Sequence, residues 1–177
     1  MNIYEGLTND HNKIKGLLER LVVVSDKDND FKAILDQIND LLIPHARAEE
    51  AVFYNTLRET DEGKDVVMHG YEEHLQAETL LRTLQGLEKI NVEWTAAAKK
   101  LKEAVLHHIE EEEEKVFAAA RIVFSEEEAE QLLIPFQKVK DIAREQGDFK
   151  NTMDLIRNIM PQRFRKSGET SGIKTAS

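Results

Sequence analysis

Apolar residues recur every three or four positions along most of the chain, which is the spacing of one face of an α-helix. The pattern runs in four long stretches, over 3–21, 31–57, 67–84 and 94–122. Short polar segments such as SDKDND and ETDEGK separate these stretches. Because short loops join antiparallel neighbours, the pattern predicts an all-α protein built on an up-down-up-down four-helix bundle.

The pattern in the remaining third of the chain predicts further helices and a tail. A fifth helix is expected to begin at SEEE, where Ser125 caps the first turn and Glu128 completes a capping box. A shorter amphipathic piece covers 149–160, and the last dozen residues are small and polar, which indicates a flexible tail. We therefore predict three parts: the bundle at 1–123, a C-terminal helical extension that packs on it at 124–166, and a disordered tail at 167–177.

The composition excludes several kinds of metal site and partner. The chain of 177 residues contains no cysteine, which excludes disulfides, thiolate metal sites and iron–sulfur ligation. A net charge of −10 argues against nucleic acid as a partner, because a binder must neutralise phosphates. The N-terminus has no basic segment followed by an apolar run, and no apolar run is long enough to cross a membrane. We predict a cytoplasmic protein without a membrane partner.

Polar residues interrupt the apolar stripe of every bundle helix. The first and third helices carry one histidine each on that stripe, and the second and fourth carry a histidine followed four residues later by a glutamate. Residues four apart share a helix face, and an unpaired buried carboxylate costs several kcal/mol. At roughly 1.5 Å of rise per residue, all four histidines fall in one layer of the bundle. The interrupting residues are His11, His45, Glu49, His74, His108 and Glu112.

Nitrogen and carboxylate oxygen without sulfur are donors that suit iron, manganese or zinc. One structural zinc needs four ligands, so six candidates favour two metal ions, with the two glutamates as bridges. The run of five glutamates at 110–114 is otherwise interpreted as a solvated face, and Glu50 as an exposed neighbour of Glu49. His69 lies off the stripe and is interpreted as structural or surface, with a place in the lining of the site as the less favoured alternative.

The segments NDHNKIKGLLERL, HARAEEAVFY, EEHLQAETLL and HHIEEEEEKVF together resemble the hemerythrin-like, HHE cation-binding family, over roughly residues 1–123. The family pattern is H, HxxxE, H and HxxxE on successive helices. The resemblance implies a non-haem centre of two iron ions with an oxo or hydroxo bridge, in preference to manganese or zinc. It also implies that the six stripe residues are the ligands.

Two departures leave alternatives open. Oxygen-carrying hemerythrins have a second histidine four residues after the one on the third helix. This chain has Glu78 at that position. Glu78 as a metal ligand and Glu78 as a partly exposed helix residue are equally favoured interpretations. Their last carboxylate follows its histidine by five residues, a step that His107 also makes with Glu112. The stripe prefers His108. Glu111 and Tyr54 are further candidates for the metal or its surroundings.

The resemblance implies a protein that binds or reacts with O2, peroxide or nitric oxide, as a peroxidase, an oxidase or a gas sensor. With Glu78 in place of an imidazole, redox turnover is favoured over oxygen carriage. The alternative is iron storage, delivery or repair, although the cysteine-bearing extension of the family's repair proteins is lacking. The sequence singles out no catalytic residue and no electron donor.

Overall fold

The structure, a computed structural model, describes residues 1–25, 30–146 and Met160, and those residues form helices and short connections without a strand. The prediction of an all-α protein is confirmed for this part of the chain. None of its helices combines the length and the apolar character that crossing a bilayer requires. In chain order the helices are α1 (Ile3–Val23), α2 (Phe31–Ala48), the π-helical segment π1 (Glu49–Tyr54), α3 (Asn55–Leu57), α4 (Lys64–Gln85), α5 (Val92–Glu111), the π-helical segment π2 (Glu112–Val116), α6 (Phe117–Val123) and α7 (Glu126–Gln146).

Side-chain caps fix where helices begin. The Asn2 side chain accepts a hydrogen bond from the Glu5 amide at 3.1 Å, and the Glu5 carboxylate accepts one from the Asn2 amide at 3.0 Å. Before α7, Ser125 Oγ accepts from the Glu128 amide at 3.2 Å, and the Glu128 carboxylate accepts from the Ser125 amide at 3.0 Å. This confirms the capping box predicted for the fifth helix.

Four long helices contact one another in a closed order: α1 packs against α2 and α5, and α4 packs against the same two helices. Their interior contains two apolar clusters. The Phe53 cluster includes Ile3, Leu7, Val52, Phe53, Leu57, Val67, Val116 and Phe117. The Trp94 cluster includes Ile14, Leu18, Leu21, Ile34, Ile38, Leu42, Leu81, Leu84, Trp94, Leu101 and Val105.

Each long helix passes from one cluster to the other. Along α1 and α4 the chain meets the Phe53 cluster first and the Trp94 cluster second. Along α2 with π1, and along α5 with π2, the order is reversed. An inward-facing residue midway along any of these four helices therefore lies between the two clusters.

The helix α7 packs along α1, α2 and π1. Its approach to α1 is close, because a Cβ atom at Gly6 would lie 2.5 Å from Cδ1 of Leu133. Of the predicted extension, α7 is the part that the structure describes as a helix. The amphipathic piece at 149–160, apart from Met160, and the tail at 167–177 lie outside the described residues.

Candidate metal centre

The six predicted ligands lie in one buried layer between the Phe53 cluster and the Trp94 cluster. On α1, His11 falls between Leu7 of the first cluster and Ile14 of the second. The side chains of His11, Glu49 and Glu112 have no exposed surface. The layer is thus a polar section through an apolar interior, and its members are His11, His45, Glu49, His74, His108 and Glu112.

These residues form two groups of three. In the first, donor atoms of His11, His45 and Glu112 all lie within 4.8 Å of one another. In the second, donor atoms of Glu49, His74 and His108 do the same. Each group offers two imidazoles and one carboxylate, a set of donors that suits non-haem iron.

The glutamates connect the two groups. Glu49 Oε2 lies 3.5 Å from His45 Nε2 and 3.3 Å from His74 Nε2. Glu112 Oε2 lies 3.1 Å from His11 Nε2 and 4.0 Å from His108 Nε2. Each carboxylate therefore approaches one histidine of both groups, which is the position that a bridging ligand occupies.

Several atoms of the layer have no hydrogen bond. Both carboxylate oxygens of Glu49, both of Glu112, and Nε2 of His11 are buried without a hydrogen-bond partner. Metal–ligand bonds of about 2.0–2.2 Å separate neighbouring donors by roughly 3.0–3.5 Å, and His74 Nε2 lies 3.1 Å from His108 Nε2. Since burying such groups unpaired is costly, the donor set fits bound metal cations.

Each imidazole presents Nε2 to the layer and holds its Nδ1 against a carboxylate. The four Nδ1–oxygen distances are 2.8 Å for His11 and Glu113, 3.4 Å for His45 and Asp10, 2.9 Å for His74 and Glu50, and 3.0 Å for His108 and Glu73. A carboxylate on the outer nitrogen is a common support for a metal-binding histidine, because it fixes the tautomer and the ring orientation.

The four supporting acids were not predicted. Each is the chain neighbour of a predicted ligand, yet it supports a histidine on the next helix: Asp10 on α1, for example, reaches His45 on α2. The prediction that Glu50 is an exposed neighbour of Glu49 is wrong, since its side chain is 21% exposed and bonded to His74. An acidic residue directly beside four of the six predicted ligands, namely His11, Glu49, His74 and Glu112, was the available signal.

Both glutamates of the HxxxE elements stand at the first position of a π-helical segment, Glu49 in π1 and Glu112 in π2. A π turn links residues five apart instead of four, and such turns are common at functional sites. The wider turn in π1 ends at Tyr54, whose side chain is fully buried. The widening therefore accounts for a second inward side chain one turn after Glu49.

The Tyr54 phenol packs on the centre. Its ring stacks on His74, with 5.5 Å between the centroids and 5° between the planes. The hydroxyl has no hydrogen-bond partner, and burial raises the pKa of Tyr54 well above its ordinary value, so the phenol stays protonated. Gly70 makes room for it, because a Cβ atom there would lie 2.5 Å from the hydroxyl oxygen.

The other alternative ligands lie outside the layer. The side chain of His107 is 61% exposed. Glu78 points to Arg47 at 2.5 Å and to Arg82 at 3.3 Å, and Glu111 pairs with Lys115. The structure thus turns His108 inward, as the stripe predicts, and leaves the layer with four imidazoles.

The protonation of the histidines follows from burial and from their neighbours. Burial lowers the pKa of His11, His45 and His108, which keeps these imidazoles neutral, as metal ligands must be. Burial also opposes the charged form of His74, but the carboxylates of Glu49 and Glu50 outweigh it and raise the pKa of His74 to about 9. A cation bound beside Glu49 would displace that proton.

The helix α7 reaches the centre through Lys140, which pairs with Asp10. Burial raises the pKa of Asp10, but hydrogen bonds from His45 and Lys140 outweigh this and hold it well below the ordinary value. Phe136, also on α7, meets the His45 ring edge-on at 6.0 Å. The predicted extension therefore takes part in positioning one of the histidines.

A buried layer of imidazoles and carboxylates among helices, which the described part of the chain shows, is the arrangement of a helical metal-binding protein. The sequence profile described as the hemerythrin HHE cation binding domain matches residues 2–120. The chain belongs to this family. Among curated proteins and solved structures, no match to the chain was found.

Proposed function

We propose that this protein is a non-haem di-iron protein that binds or reacts with a small oxidant: O2, peroxide or nitric oxide. The observation that carries the proposal is the pair of buried glutamates whose oxygens lack hydrogen bonds and each of which approaches histidines of both groups. Each of these carboxylates lies between a histidine of one group and a histidine of the other, which favours two metal ions over one. Family membership favours iron as their identity.

We further propose that the four long helices form an up-down-up-down bundle around this centre. Support comes from the order in which the helices meet the two apolar clusters, which alternates from α1 to α2, α4 and α5. Helices that alternate in direction meet the clusters in this way. Three short connections along the same stretch agree with it.

Iron bound here would supply open coordination positions and a change of oxidation state. The protein's own residues do the rest. The two apolar clusters enclose the layer along the helix axes. The supporting carboxylates hold every Nε2 toward its interior. The neutral phenol of Tyr54 offers an O–H donor beside His74.

We propose redox reactivity in preference to reversible oxygen carriage. The support is the number of imidazoles. Glu78 occupies the position at which the oxygen-carrying hemerythrins have a further histidine, and its carboxylate is paired with Arg47 and Arg82. A centre with four imidazoles and two carboxylates is poorer in nitrogen and richer in negative charge. Negative charge stabilises the higher oxidation state of a bound metal.

The test uses iron-loaded protein reduced under anaerobic conditions and mixed rapidly with O2, hydrogen peroxide or nitric oxide. We expect at least one of them to change the optical spectrum faster than it does with the same concentration of free ferrous iron. Absence of any such reaction in fully loaded protein would contradict the proposal.

The second candidate function is iron storage or delivery. It is favoured by a group of possible metal donors beside the centre, formed by the exposed His69 with Glu73 and Glu111. Its test is the transfer of iron from the loaded protein to a metal-free acceptor protein. Transfer without reaction toward any of the three oxidants would favour delivery over the first candidate.

A further inference from the structure

A second set of histidines and glutamates lies at the surface beside the centre. Donor atoms of His69, Glu73 and Glu111 lie within 4.8 Å of one another. His69 Nε2 is 3.6 Å from Glu73 Oε1 and 3.6 Å from Glu111 Oε2. These separations exceed ordinary hydrogen bonds and are close to the spacing of donors around one metal ion.

His107 completes this outer cluster. Its Nε2 is 3.9 Å from Glu73 Oε1 and 3.8 Å from Glu111 Oε1. Both histidines of the cluster are more than half exposed, with side-chain exposures of 54% for His69 and 61% for His107. The outer cluster is therefore accessible to ions in solution, whereas the centre is buried.

Glu73 joins the outer cluster to the centre through its two oxygens. Oε2 is hydrogen-bonded to His108 Nδ1 at 3.0 Å, and Oε1 faces His69 and His107. One carboxylate thus supports a histidine of the buried layer and offers a donor to the outside. An ion held at Oε1 would lie one side chain away from the centre.

Residues of the outer cluster and of the centre line one cavity of about 220 Å³. Its outer lining includes His69 and Glu111, and its inner lining includes Tyr54, His108 and Glu112. The Tyr54 hydroxyl and both Glu112 carboxylate oxygens are buried without hydrogen-bond partners. The cavity is therefore lined both by residues of the outer cluster and by buried residues that carry unsatisfied polar atoms.

Lys115 also lines this cavity and pairs with Glu111. Its ammonium neutralises one of the two carboxylates of the outer cluster. A divalent ion would compete with it for Glu111, which keeps binding at the outer cluster weaker than at the centre. Weak binding is what a transient stop on the way inward requires.

We propose that His69, Glu73 and Glu111, with His107 within reach, form an outer site for a divalent transition-metal ion, and that the centre is loaded through it. Two imidazoles and two carboxylates are donors that ferrous iron, cobalt or zinc accept. The inference rests on the proposed function in one respect, namely that the centre takes up metal.

Binding is tested by titrating iron-loaded protein with Co²⁺, followed by calorimetry and by visible absorption. We expect the wild type to bind one Co²⁺ per chain while retaining its iron. His69→Ala and Glu111→Gln should weaken this binding by at least about 10-fold, since even residues that only support a ligand have effects of that order. The matched control is Glu110→Gln, which makes the same charge change at an exposed position of α5 and should leave binding unchanged.

Removing the competing ammonium should act in the opposite direction. Lys115→Gln leaves every donor of the outer site in place and frees Glu111, so Co²⁺ should bind more tightly than in the wild type. Lys13→Gln is the control for a general effect of surface charge, because Lys13 is exposed on α1 and does not line the cavity. It should leave Co²⁺ binding unchanged, whereas a general charge effect would tighten binding equally in both variants.

Loading is tested by adding anaerobic Fe²⁺ to metal-free protein and following the iron bound over time. We expect His69→Ala to load several-fold more slowly than the wild type and to reach the same final iron content. An unchanged loading rate, no additional Co²⁺ in the wild type, or equal Co²⁺ binding in all variants would overturn the proposal.

The two proposals fail in different ways. Iron in the centre without additional Co²⁺ would overturn the outer site and leave the di-iron centre standing. A wild type that takes up no iron at all would overturn both proposals. In the same assay, the iron that is lost in His11→Ala is the iron of the centre, because this variant alters the buried layer and leaves the outer cluster unchanged.

Discussion

Each histidine of the layer uses its two ring nitrogens for different tasks. With Nδ1 held by a carboxylate, Nε2 is the nitrogen that can bind a metal ion; the neutral His11, His45 and His108 offer its lone pair directly, and His74 offers it once a cation displaces its second proton. His11 shows this most directly: Nδ1 lies 2.8 Å from Glu113, and Nε2 faces Glu112 without a hydrogen bond. The centre is therefore oriented before any ion arrives.

The two buried glutamates should be indispensable for metal binding. We expect Glu49→Gln and Glu112→Gln each to lose most of the bound metal, because an amide cannot supply the negative charge of a bridging carboxylate. Glu114→Gln, at an exposed position of π2, is the matched control. Metal content measured on purified proteins decides the matter, and equal content in all three variants would contradict the account.

A supporting carboxylate should matter less than a ligand but more than a surface residue. We expect Glu50→Ala to lower metal affinity by about 10–100-fold, because His74 loses the partner of its Nδ1. Glu114→Ala should have no effect. Competition with a chelator of known affinity measures the difference, and an affinity for Glu50→Ala equal to that of the wild type would show that Glu50 gives no such support.

The two adjacent histidines of α5 should behave differently. We expect His108→Ala to abolish the di-metal spectrum, since its ring faces Glu49 and Glu112 from within the layer. His107→Ala should keep the spectrum, because this side chain is exposed. Optical spectra of iron-loaded variants test this. Loss of metal from the His107 variant alone would mean that α5 is turned by one residue.

The sequence could predict the inward residues but not their supports. His11, Glu49 and His108 replace apolar residues on a stripe, so their burial could be predicted from spacing alone. Asp10 and Glu113 are offset by about 100° from that stripe, a position that on most helices is solvated. Only the packing of the next helix shows that each of them meets an imidazole.

At the scale of the elements, the π segments give the centre its shape. Both begin at a glutamate of the layer, and π1 delivers Tyr54 to the same interior. The four-residue step from His45 to Glu49 precedes the wide turn, which is why the α-helical stripe still placed both residues correctly. Tyr54 was among the predicted candidates for the surroundings of the metal, but a π turn leaves no clear mark in an apolar pattern, so the widening of π1 itself could not be predicted.

Gly70 on α4 should be needed for the position of Tyr54. A methyl group there would lie 2.5 Å from the phenol oxygen, and we expect Gly70→Ala to destabilise the protein by about 1–3 kcal/mol through overpacking. Gly16→Ala is the matched control on α1, where a Cβ atom meets nothing within 4 Å. It should stabilise the helix by about 0.5–1 kcal/mol.

Denaturant unfolding of the metal-free proteins measures both changes. The contrast between the two glycines removes the general effect of alanine on a helix from the comparison. Equal shifts in the two variants would mean that Tyr54 does not depend on Gly70.

The role of α7 belongs to the same scale. The sequence predicted that this helix packs on the bundle, and its capping box marked where it begins. The spacing of α7 could not show that Lys140 reaches Asp10 or that Phe136 lies against His45. Such contacts depend on the angle at which α7 crosses α1 and α2, and that angle is set by side chains on three helices at once, including the close approach of Gly6 and Leu133.

For the whole molecule, the interior is divided by a polar layer that the apolar clusters alone would not stabilise. Five donor atoms in it have no hydrogen-bond partner among the described residues: one on His11, two on Glu49 and two on Glu112. Each such atom costs free energy in a metal-free fold. The layer is explained if metal ions bind there, and the number of ions is the central quantity of the account.

Elemental analysis of the full chain, expressed with ample iron and purified without chelators, measures that number most directly. Iron, manganese and zinc are determined on the same sample, and the protein concentration is obtained by amino-acid analysis. We expect two iron ions per chain. One tightly bound zinc ion per chain and no iron would contradict this expectation.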